Sequence, residues 1–464
     1  MSQLMTIAKP RRNTELLLLL LALVMSGMAN ALVNLNLGRS FDNDFYTQIA
    51  ILTGLSLAFH VVLRFKAKYA DPVMLPVVVA LNGLGLAVIH RLDIASGDNA
   101  GTRQWMWTSL AAIAAIAVIW LLRDHRILRR YTYISLLVSV ILLILPLVPG
   151  ISAGNVNGAT VWIAIGPFTF QPGEIAKITL AIFFAGYLSS NRDLILLAGK
   201  KIGPLQLPRA KDLAPMIVAW LASVGVLVFQ RDLGTSILFF GLFMVMIYVA
   251  TSRISWIFIG LALMAVGGVA AYQLFPHVTR RIDVWVHALD PEYIGAAGGS
   301  YQVVEGLFGL ANGGLLGTGF GQGSPDNVPL ANSDMIIASI GEELGLVGLF
   351  AVLCLYALFI ARGFRAALGT RDAFGKLLAV GLAFAFALQC FVIIGGVTRL
   401  IPLTGLTTPF LAAGGSSLLA NWIILALLLK ISDAARHPID LSPTSVPHEN
   451  PPNLESTQKE VPAP

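Results

Sequence analysis

The chain has 464 residues, of which 56% are hydrophobic and 12% are charged, with a formal net charge of +6. In soluble domains roughly a quarter of all residues are charged, so this composition excludes an ordinary soluble protein. It indicates that lipid is the main solvent of the chain. The positive charge then reflects membrane topology and anionic lipid headgroups, and it gives no support to nucleic-acid binding.

Long apolar segments predict an all-α polytopic membrane protein with about twelve transmembrane helices, since a helix needs about 20 apolar residues to cross a bilayer. The first span follows a charged start but lacks a small-residue cleavage site, so we interpret it as an anchor. Cys354 and Cys390 fall within spans, where small buried hydrophobic residues are more common than disulfide partners. The predicted spans are 16–36, 45–63, 73–90, 105–122, 132–148, 171–189, 213–229, 233–250, 254–273, 334–361, 377–397 and 408–429.

The distribution of Lys and Arg supports this topology with the N-terminus inside. Of the 31 such residues, 23 fall in predicted cytoplasmic segments, seven fall outside, and Lys177 lies within a span. This imbalance is typical of the positive-inside orientation, and removing one span would destroy it. We therefore expect a multi-pass membrane protein with both termini in the cytoplasm.

Four segments stand out between and after the predicted spans. The uncharged outer segment 149–170 could enter the membrane again if protein covers it. The segment 191–212 is a basic cytoplasmic loop, and 275–333 is a large outer loop for which we expect order and function. The tail 432–464 is rich in Pro and charge and is predicted to be disordered.

The charged residues within predicted spans allow two interpretations each. Glu174 and Lys177 share a helix face at i, i+3, so they form a buried structural pair or line a substrate cavity. Glu342 and Glu343 point about 100° apart, so at most one of them easily faces a single cavity. A hydrogen-bonded or protonated structural glutamate is the alternative there, and the residues alone leave both choices open.

Charged residues also cluster near the outer ends of the spans. Asp334 begins the tenth predicted span, where an acid stabilises the helix dipole, so helix capping and a catalytic role are both open. Capping would lower the pKa of this carboxyl group unless burial opposes it. Arg280, Arg281 and Arg399 lie outside, and guanidinium groups suit phosphate oxygens, although rim charges of other membrane proteins look similar.

The sequence shows no zinc-ligand spacing, phosphate-binding glycine loop or nucleophile elbow, which gives little support to a soluble-type hydrolase or kinase. It does contain an ordered series of motifs: Asn157-Gly158-Ala159, Trp162-Ile163, Gln171-Pro172-Gly173-Glu174 to Lys177, Asp232-Leu233-Gly234, Tyr301-Gln302, the Gly-rich 313–323, Ser333-Asp334, Gly341-Glu342-Glu343-Leu344-Gly345, Pro402-Leu403-Thr404-Gly405 and Gly414-Gly415-Ser416-Ser417. In these motifs, over roughly residues 73 to 430, the chain resembles the SEDS family of peptidoglycan glycosyltransferases, the RodA/FtsW type.

The resemblance implies a ten-helix catalytic core at 73–431, preceded by the unit 1–72 with two added helices, as in actinobacterial RodA-type members. It implies an enzyme that polymerises lipid II into glycan strands on the outer face of the bacterial plasma membrane during cell-wall growth. It also implies a class B penicillin-binding transpeptidase as partner. Asp334 matches the family's essential outer-face acid, and Trp162 belongs to its outer-loop motif.

The chain departs from the family pattern at several positions. Asn332 and Ser333 stand where a histidine and a threonine usually precede the acid, and Arg231 stands where proline is usual. Ala412-Ala413 replaces Ser-Tyr, and Val161 replaces an arginine. The last two changes remove polar groups near the expected cavity, which implies weaker activity, altered substrate contacts or a specialised role.

The working hypothesis is inverting glycosyl transfer from a polyprenyl-pyrophosphate donor, with Asp334 as general base on the acceptor hydroxyl. Arg280, Arg281 and Arg399 are the candidates for holding the pyrophosphate. A divalent cation (Mg or Mn) is conjecture, because the sequence shows no dedicated ligand cluster. Further substrate contacts are expected at Glu174, Lys177, Trp162 and Glu343.

Two other classes of function compete with this hypothesis. One is a flippase for the lipid-linked precursor, whose mark would be charged residues throughout the bilayer midplane. The other is a non-catalytic scaffold that recruits a transpeptidase. Asp334→Asn separates them, since it should abolish polymerisation and spare flipping or partner binding.

Overall fold

The computed structural model describes residues 9–438, except 157, 167, 198–199, 203–204, 208–209 and 297. Two short antiparallel hairpins occur in this part of the chain, β1 Ile163–Ile165 with β2 Phe168–Phe170 and β3 Lys200–Ile202 with β4 Leu205–Leu207. The α-helices are α1 Arg12–Asn36, α2 Asn43–Lys66, α3 Met74–Ser96, α4 Ala100–Leu121, α5 Thr132–Ile144, α6 Gly173–Leu197, α7 Ala210–Gln230, α8 Leu233–Thr251, α9 Ser255–Leu274, α10 Pro276–Val286, α11 Pro291–Gly295, α12 Tyr301–Gly313, α13 Ile336–Gly369, α14 Ala373–Val397 and α15 Gly415–Arg436.

The long helices follow the apolar segments of the sequence. Ten of the described helical segments are long and apolar enough to cross a membrane. The other two long helices, α6 and α7, coincide with the sixth and seventh predicted spans. The prediction of an all-α polytopic membrane protein with about twelve membrane helices is confirmed.

The bounds or the course of two predicted spans need correction. The last helix begins at Gly415 instead of 408, because the preceding segment is extended or turned, with φ −176° and ψ 92° at Gly414 and φ 64° at Phe410. α13 runs on to Gly369 and is broken at Gly345, where φ is 67° and ψ is −170°. The apolar character of both segments hid these irregularities, since hydropathy does not distinguish a helix from a buried extended segment.

The ends of the chain differ in part from the predicted boundaries. α15 continues through Arg436, beyond the position 432 at which the tail was predicted to begin. Residues 439–464, which hold most of the predicted disordered tail, lie outside the described residues. Asn157 of the outer-loop motif lies outside them as well.

The core of the bundle is formed by α3, α14 and α15, which are the most deeply buried of the candidate spans. α3 approaches the extended segment before α15 so closely that a Cβ at Gly85 would lie 2.4 Å from the carbonyl oxygen of Leu411. α9 shows the opposite behaviour, because Gly260 is its buried residue and its other side chains are exposed or partly exposed. Its apolar surface is thus available to lipid.

Charged residues tie several helices together at one end of the bundle. Asp71, which is buried before α3, pairs with Arg362 of α13 at 3.6 Å and with Arg436 of α15. Arg12 at the start of α1 donates to the carbonyl oxygen of Ala70. The start of α1 and the end of α15 therefore lie at the same end of the molecule, as the predicted topology requires.

The opposite end carries the long outer segments. The segment 149–170 contains the β1–β2 hairpin, whose Phe168 and Phe170 rings pack near Trp107 at centroid distances of 6.3 and 6.4 Å. Apart from residue 297, the segment 275–333 belongs to the described part of the chain and contains α10, α11 and α12. Its apolar piece 303–310 is part of α12.

Candidate active site

A cavity of about 810 Å³ opens at the end of the bundle that carries these outer segments. Its walls come from the β1–β2 region, the turn between α7 and α8, helix α10, and the two segments that precede α13 and α15. The charged and polar residues that line it include Arg231, Asp232, His277, Arg280, Arg281, Gln302, Ser333, Asp334, Thr404 and Ser416.

Asp334 lies on the cavity wall, two residues before α13 begins. The N-cap position of α13 is Met335, and no side-chain hydrogen bond caps this helix. Capping is therefore not the role of Asp334, because the chain turns before the carboxylate can reach the helix amides. Gly405 of the Pro402–Gly405 motif has φ 78°, and a Cβ there would lie 3.8 Å from Asp334 Oδ2.

The surroundings of Asp334 favour its neutral form. Burial raises the pKa of its carboxyl group to about 6, and the nearby positive charge of Arg281 opposes this rise. A carboxyl group with such a pKa is mostly ionised at neutral pH, yet it is a stronger base than an ordinary aspartate. This combination is what a general base needs.

Arg281 lies between two carboxylates on the wall of the cavity. It projects from the amphipathic helix α10 and donates a hydrogen bond of 3.1 Å from Nη1 to the carbonyl oxygen of Thr404. Burial lowers the pKa of its guanidinium group, whereas the charges of Asp232 and Asp334 raise it. Arg280, the preceding residue, is exposed, and its guanidinium packs against Gly298, which also lines the cavity.

The turn between α7 and α8 supplies site residues that the sequence analysis missed. Asp232 caps α8 by accepting a hydrogen bond of 2.9 Å from the Thr235 amide, and it also lines the cavity, where burial raises its pKa. Arg231 also lines the cavity, and its backbone adopts the left-handed conformation with φ 60°. Asp232 thus caps α8 and lines the cavity at the same time, and no local signal in the sequence shows that this turn faces the site.

His277 is a further cavity residue that the sequence analysis did not single out. Burial lowers the pKa of its imidazole, and the charges of Arg281 and Arg231 lower it further. Histidines are scattered along this chain, so only the three-dimensional arrangement connects this one with the arginines. The cavity lining thus contains Arg231, Arg280 and Arg281 together with Asp232 and Asp334, so arginines outnumber carboxylates by one.

Trp162 lines the cavity, as do Val161 and Ala413 at two of the departures from the family pattern. The segment with Ala412-Ala413 is fixed by its backbone instead of its side chains. Gln104 donates 2.9 Å to the carbonyl oxygen of Ala412 and accepts 3.2 Å from the Gly414 amide. Ala413 N donates 2.7 Å to Asn332 O, which joins this segment to the one bearing Asp334.

Four residues expected to contact substrate lie outside the lining of this cavity. Glu174 and Lys177 form a buried pair at 2.6 Å, and Lys177 Nζ also donates 2.8 Å to Gln389 Oε1. Gln389 Nε2 in turn donates 2.9 Å to the carbonyl oxygen of Thr407, a cavity residue. The pair thus supports the wall from behind, in line with the structural interpretation.

The side chains of Arg399 and Glu343 are not part of the cavity lining, and both bind other partners. The Arg399 side chain donates from Nε to Trp285 O at 3.0 Å and from Nη2 to Val286 O at 2.8 Å, so it ends α10 instead of facing the cavity. Glu343 pairs with Arg91 Nε at 2.9 Å. The third predicted span ends at 90, but α3 continues to Ser96, so Arg91 lies within this helix and is buried.

The described part of the chain contains no group of three or more His, Cys, Asp or Glu side chains that could hold a metal ion. Asp232 is occupied as a helix cap, and Asp334 faces Arg281. The residues of the cavity therefore do not form a ligand set for the conjectured Mg or Mn.

Comparisons with known proteins agree with the motifs and with the fold. The model of the FtsW/RodA/SpoVE family, described as a cell cycle protein, matches residues 72–437. Peptidoglycan glycosyltransferase RodA of Mycobacterium tuberculosis is 48% identical over 440 residues, which cover 93% of each chain. Stage V sporulation protein E of Bacillus subtilis is 31% identical and covers 80% of this chain and 99% of its own.

Solved structures give the same result. A chain from a study of polymerization and crosslinking by a peptidoglycan synthase complex is 25% identical, with a TM-score of 0.56 and coverage of 84% of this chain and 98% of that chain. A mutant of the rod shape determining protein RodA of Thermus thermophilus is 26% identical, with a TM-score of 0.54 and coverage of 78% and 97%. This multi-pass membrane protein belongs to the FtsW/RodA/SpoVE family.

Proposed function

We propose that this protein is a peptidoglycan glycosyltransferase that polymerises lipid II into glycan strands on the outer face of the bacterial plasma membrane. The observation that carries the proposal is the setting of Asp334. Its carboxyl group does not cap a helix, has a raised pKa and lies beside Arg281 in a cavity of about 810 Å³. The similarity over 93% of the chain to a protein named as a peptidoglycan glycosyltransferase supports it.

Asp334 acts as the general base in this proposal. It accepts the proton of the acceptor hydroxyl while the hydroxyl oxygen attacks the anomeric carbon of the donor sugar. The bond from that carbon to the diphosphate oxygen breaks, and its electron pair leaves with the diphosphate. Because attack and departure occur on opposite faces of one carbon, the anomeric configuration is inverted.

The arginines of the cavity stabilise the leaving group. Arg280 and Arg281 are placed on one helix, and a guanidinium group can hold phosphate oxygens with two parallel hydrogen bonds. Arg231 and His277 add positive or polar groups on the same side. Such donors act most strongly where negative charge grows as the bond breaks, in a site with little water. We assign no step to a divalent cation.

Arg399, Glu174, Lys177 and Glu343 enter the proposal as supporting residues. Arg399 fixes the end of α10 and therefore the direction of the helix that carries Arg280 and Arg281. The Glu174–Lys177 pair acts on the cavity wall through Gln389. Trp162 remains a direct contact, because its ring lies on the wall where a sugar or its lactyl peptide can pack.

The proposal includes a transpeptidase partner of the class B penicillin-binding type, with both termini of this chain in the cytoplasm. The similar chain from a peptidoglycan synthase complex supports the partner. The distribution of 31 Lys and Arg residues supports the orientation.

Purified protein co-expressed with its transpeptidase and supplied with labelled lipid II tests the proposal. Glycan ladders are expected, and their formation should weaken as the pH falls below 6, where Asp334 takes up a proton. A complex that makes no ladder but moves labelled lipid II between the leaflets of a vesicle would support the flippase instead. An intact complex with neither activity would support the hypothesis of a non-catalytic scaffold.

A further inference from the structure

The Gly-Glu-Glu-Leu-Gly motif binds the outer loop through its backbone. At Gly345 the helix α13 is interrupted, and the residues around this break pair with the loop after α12. Thr318 N donates 3.0 Å to Glu342 O, Gly319 N donates 2.9 Å to Glu343 O, and Leu346 N donates 3.0 Å to Gly314 O. A Cβ at Gly317 would lie 2.3 Å from the Glu343 carbonyl oxygen, so only glycine permits this approach.

The two glutamate side chains of the motif hold the next part of the same loop. Glu342 accepts hydrogen bonds of 3.0 Å from both the Asn312 side chain and the Ser324 amide. Glu343 pairs with Arg91, whose Nη2 donates 2.7 Å to the carbonyl oxygen of Gly323. Both members of the Arg91–Glu343 pair are buried, and neither lines the cavity of Asp334.

Arg91 makes one more contact with this segment, at 3.2 Å from Nη1 to Asp326 Oδ1. A single guanidinium group of α3 therefore joins α13 and two points of the outer loop. Three contacts in fixed directions require the planar fork of arginine, and a lysine ammonium could reach them only one or two at a time. An arginine at position 91 can therefore hold the loop as well as neutralise Glu343.

The end of α1, the first of the two added N-terminal helices, also contacts the outer loop. Asn36, the last residue of α1, donates 2.6 Å from its side-chain amide to the carbonyl oxygen of Phe320. A Cβ at Gly321 would lie 3.3 Å from the Asn36 Cβ, so the loop passes directly against the end of α1. α1 lies before residue 72, where the family match begins.

The chain runs from this clamped region straight to Asp334. Only eight positions separate Asp326 from Asp334, and Val328 and Ala331 between them are buried. Beyond them, Asn332 O is held by Ala413 N. The backbone that carries the proposed base is thus fixed on one side by the segment before α15 and on the other by the contacts of Arg91, Glu342, Glu343 and Asn36, which we call the loop clamp.

Building on the function proposed above, we infer that Arg91 is a positioning residue for Asp334, and that α1 contributes to the same task through Asn36. The loop clamp keeps the segment 314–335 in one conformation, so the carboxylate meets the acceptor hydroxyl in the correct geometry. Displacement of a catalytic group by about 1 Å can lower a rate by about 10²-fold. α1 therefore supports the active site through Asn36, although it lies before residue 72, where the family match begins.

The test compares Arg91→Lys and Asn36→Ala with wild type in complex with the transpeptidase. Arg91→Lys retains the charge beside Glu343, so folding is preserved while the fork is lost. Arg103→Lys is the matched control, because Arg103 is an exposed arginine near the same end of the bundle, paired with Asp98 at 3.6 Å. Two quantities are measured for each variant, namely kcat and KM for lipid II, and amide hydrogen exchange over residues 314–335.

Arg91→Lys is expected to lower kcat about tenfold and Asn36→Ala about threefold, with KM within about twofold, since positioning acts on the transition state. Exchange over 314–335 should be faster in both variants, while Arg103→Lys matches wild type in both measurements. A raised KM with unchanged kcat would overturn the inference in favour of substrate binding, and unchanged loop exchange would overturn the clamp itself. A wild-type complex that makes no glycan would contradict the proposed function, whereas the exchange measurement judges the clamp separately.

Discussion

Asp334 combines two properties that usually exclude each other. It is half-buried in a cavity that raises its pKa to about 6, and it lies near a positive charge that keeps it ionised at neutral pH. In the unfolded chain the same carboxyl group would have its ordinary pKa of 3.8. The folded protein therefore binds this proton more tightly than the unfolded chain, and stability falls as the pH rises from about 4 to about 6.

We expect Asp334→Asn to stabilise the protein at neutral pH. At pH 7.5 the variant should unfold about 1–3 °C above wild type, because asparagine needs no ionised form in a buried site. The difference should shrink below pH 6 and vanish below about pH 3, where wild-type Asp334 is protonated in both the folded and the unfolded state. Thermal unfolding at several pH values measures it, and a variant less stable than wild type at pH 7.5 would contradict the raised pKa.

At this scale the sequence predicted residue identities better than residue contacts. The resemblance pointed to Asp334, and the outer position and guanidinium chemistry of Arg280 and Arg281 pointed to those two residues. All three line the cavity. Arg91 was missed, because an arginine at the outer end of an apolar run looks like a rim charge until its partner on α13 is known. Arg399 has the same appearance in sequence, and its side chain turns to the backbone of α10 instead.

At the scale of elements, glycines decide how closely helices and extended segments approach. α3 packs against the extended segment before α15, and at Gly85 there is no room for a side chain beside the Leu411 backbone. Helix positions were predictable from the length of the apolar segments. The break at Gly345 and the non-helical course of residues 406–414 were not predictable, since both segments are apolar and their backbone conformation depends on distant contacts.

We expect Gly85→Ala to destabilise the protein by about 1–3 kcal/mol, because backbone atoms must move to admit the methyl group. The movement should also disturb the cavity wall formed by residues 401–417 and lower the polymerisation rate. Gly27→Ala in α1 is the matched control, since a Cβ there meets nothing within 4 Å. Thermal unfolding of both variants measures the effect, and equal midpoints would show that α3 and this segment are less tightly packed than described.

At the scale of the whole molecule, the positive-inside pattern and the packing agree. The start of α1, the end of α15 and Asp71 meet at one end, and the cavity opens at the other. The sequence could predict this arrangement because each helix reverses direction and charged loops alternate. It could not predict that α1 reaches the loop near Asp334, since no local signal connects Asn36 with Phe320.

The orientation can be tested with cysteines at exposed positions on the two sides. In a Cys354→Ala background, Glu292→Cys lies in the outer loop and Arg371→Cys lies between α13 and α14. A membrane-impermeant maleimide should label the first in intact cells and the second only after permeabilisation. Labelling of Arg371→Cys in intact cells would contradict the proposed topology.

The central claim is that Asp334 serves as the base of a glycosyltransferase, and its most direct test is polymerisation of labelled lipid II by wild type and Asp334→Asn. Both proteins are purified with the transpeptidase, and their unfolding temperatures establish that the variant is folded. The account predicts glycan ladders from wild type and a rate lower by about 10²–10⁴-fold in Asp334→Asn. A folded Asp334→Asn complex that polymerises lipid II at the wild-type rate would contradict it.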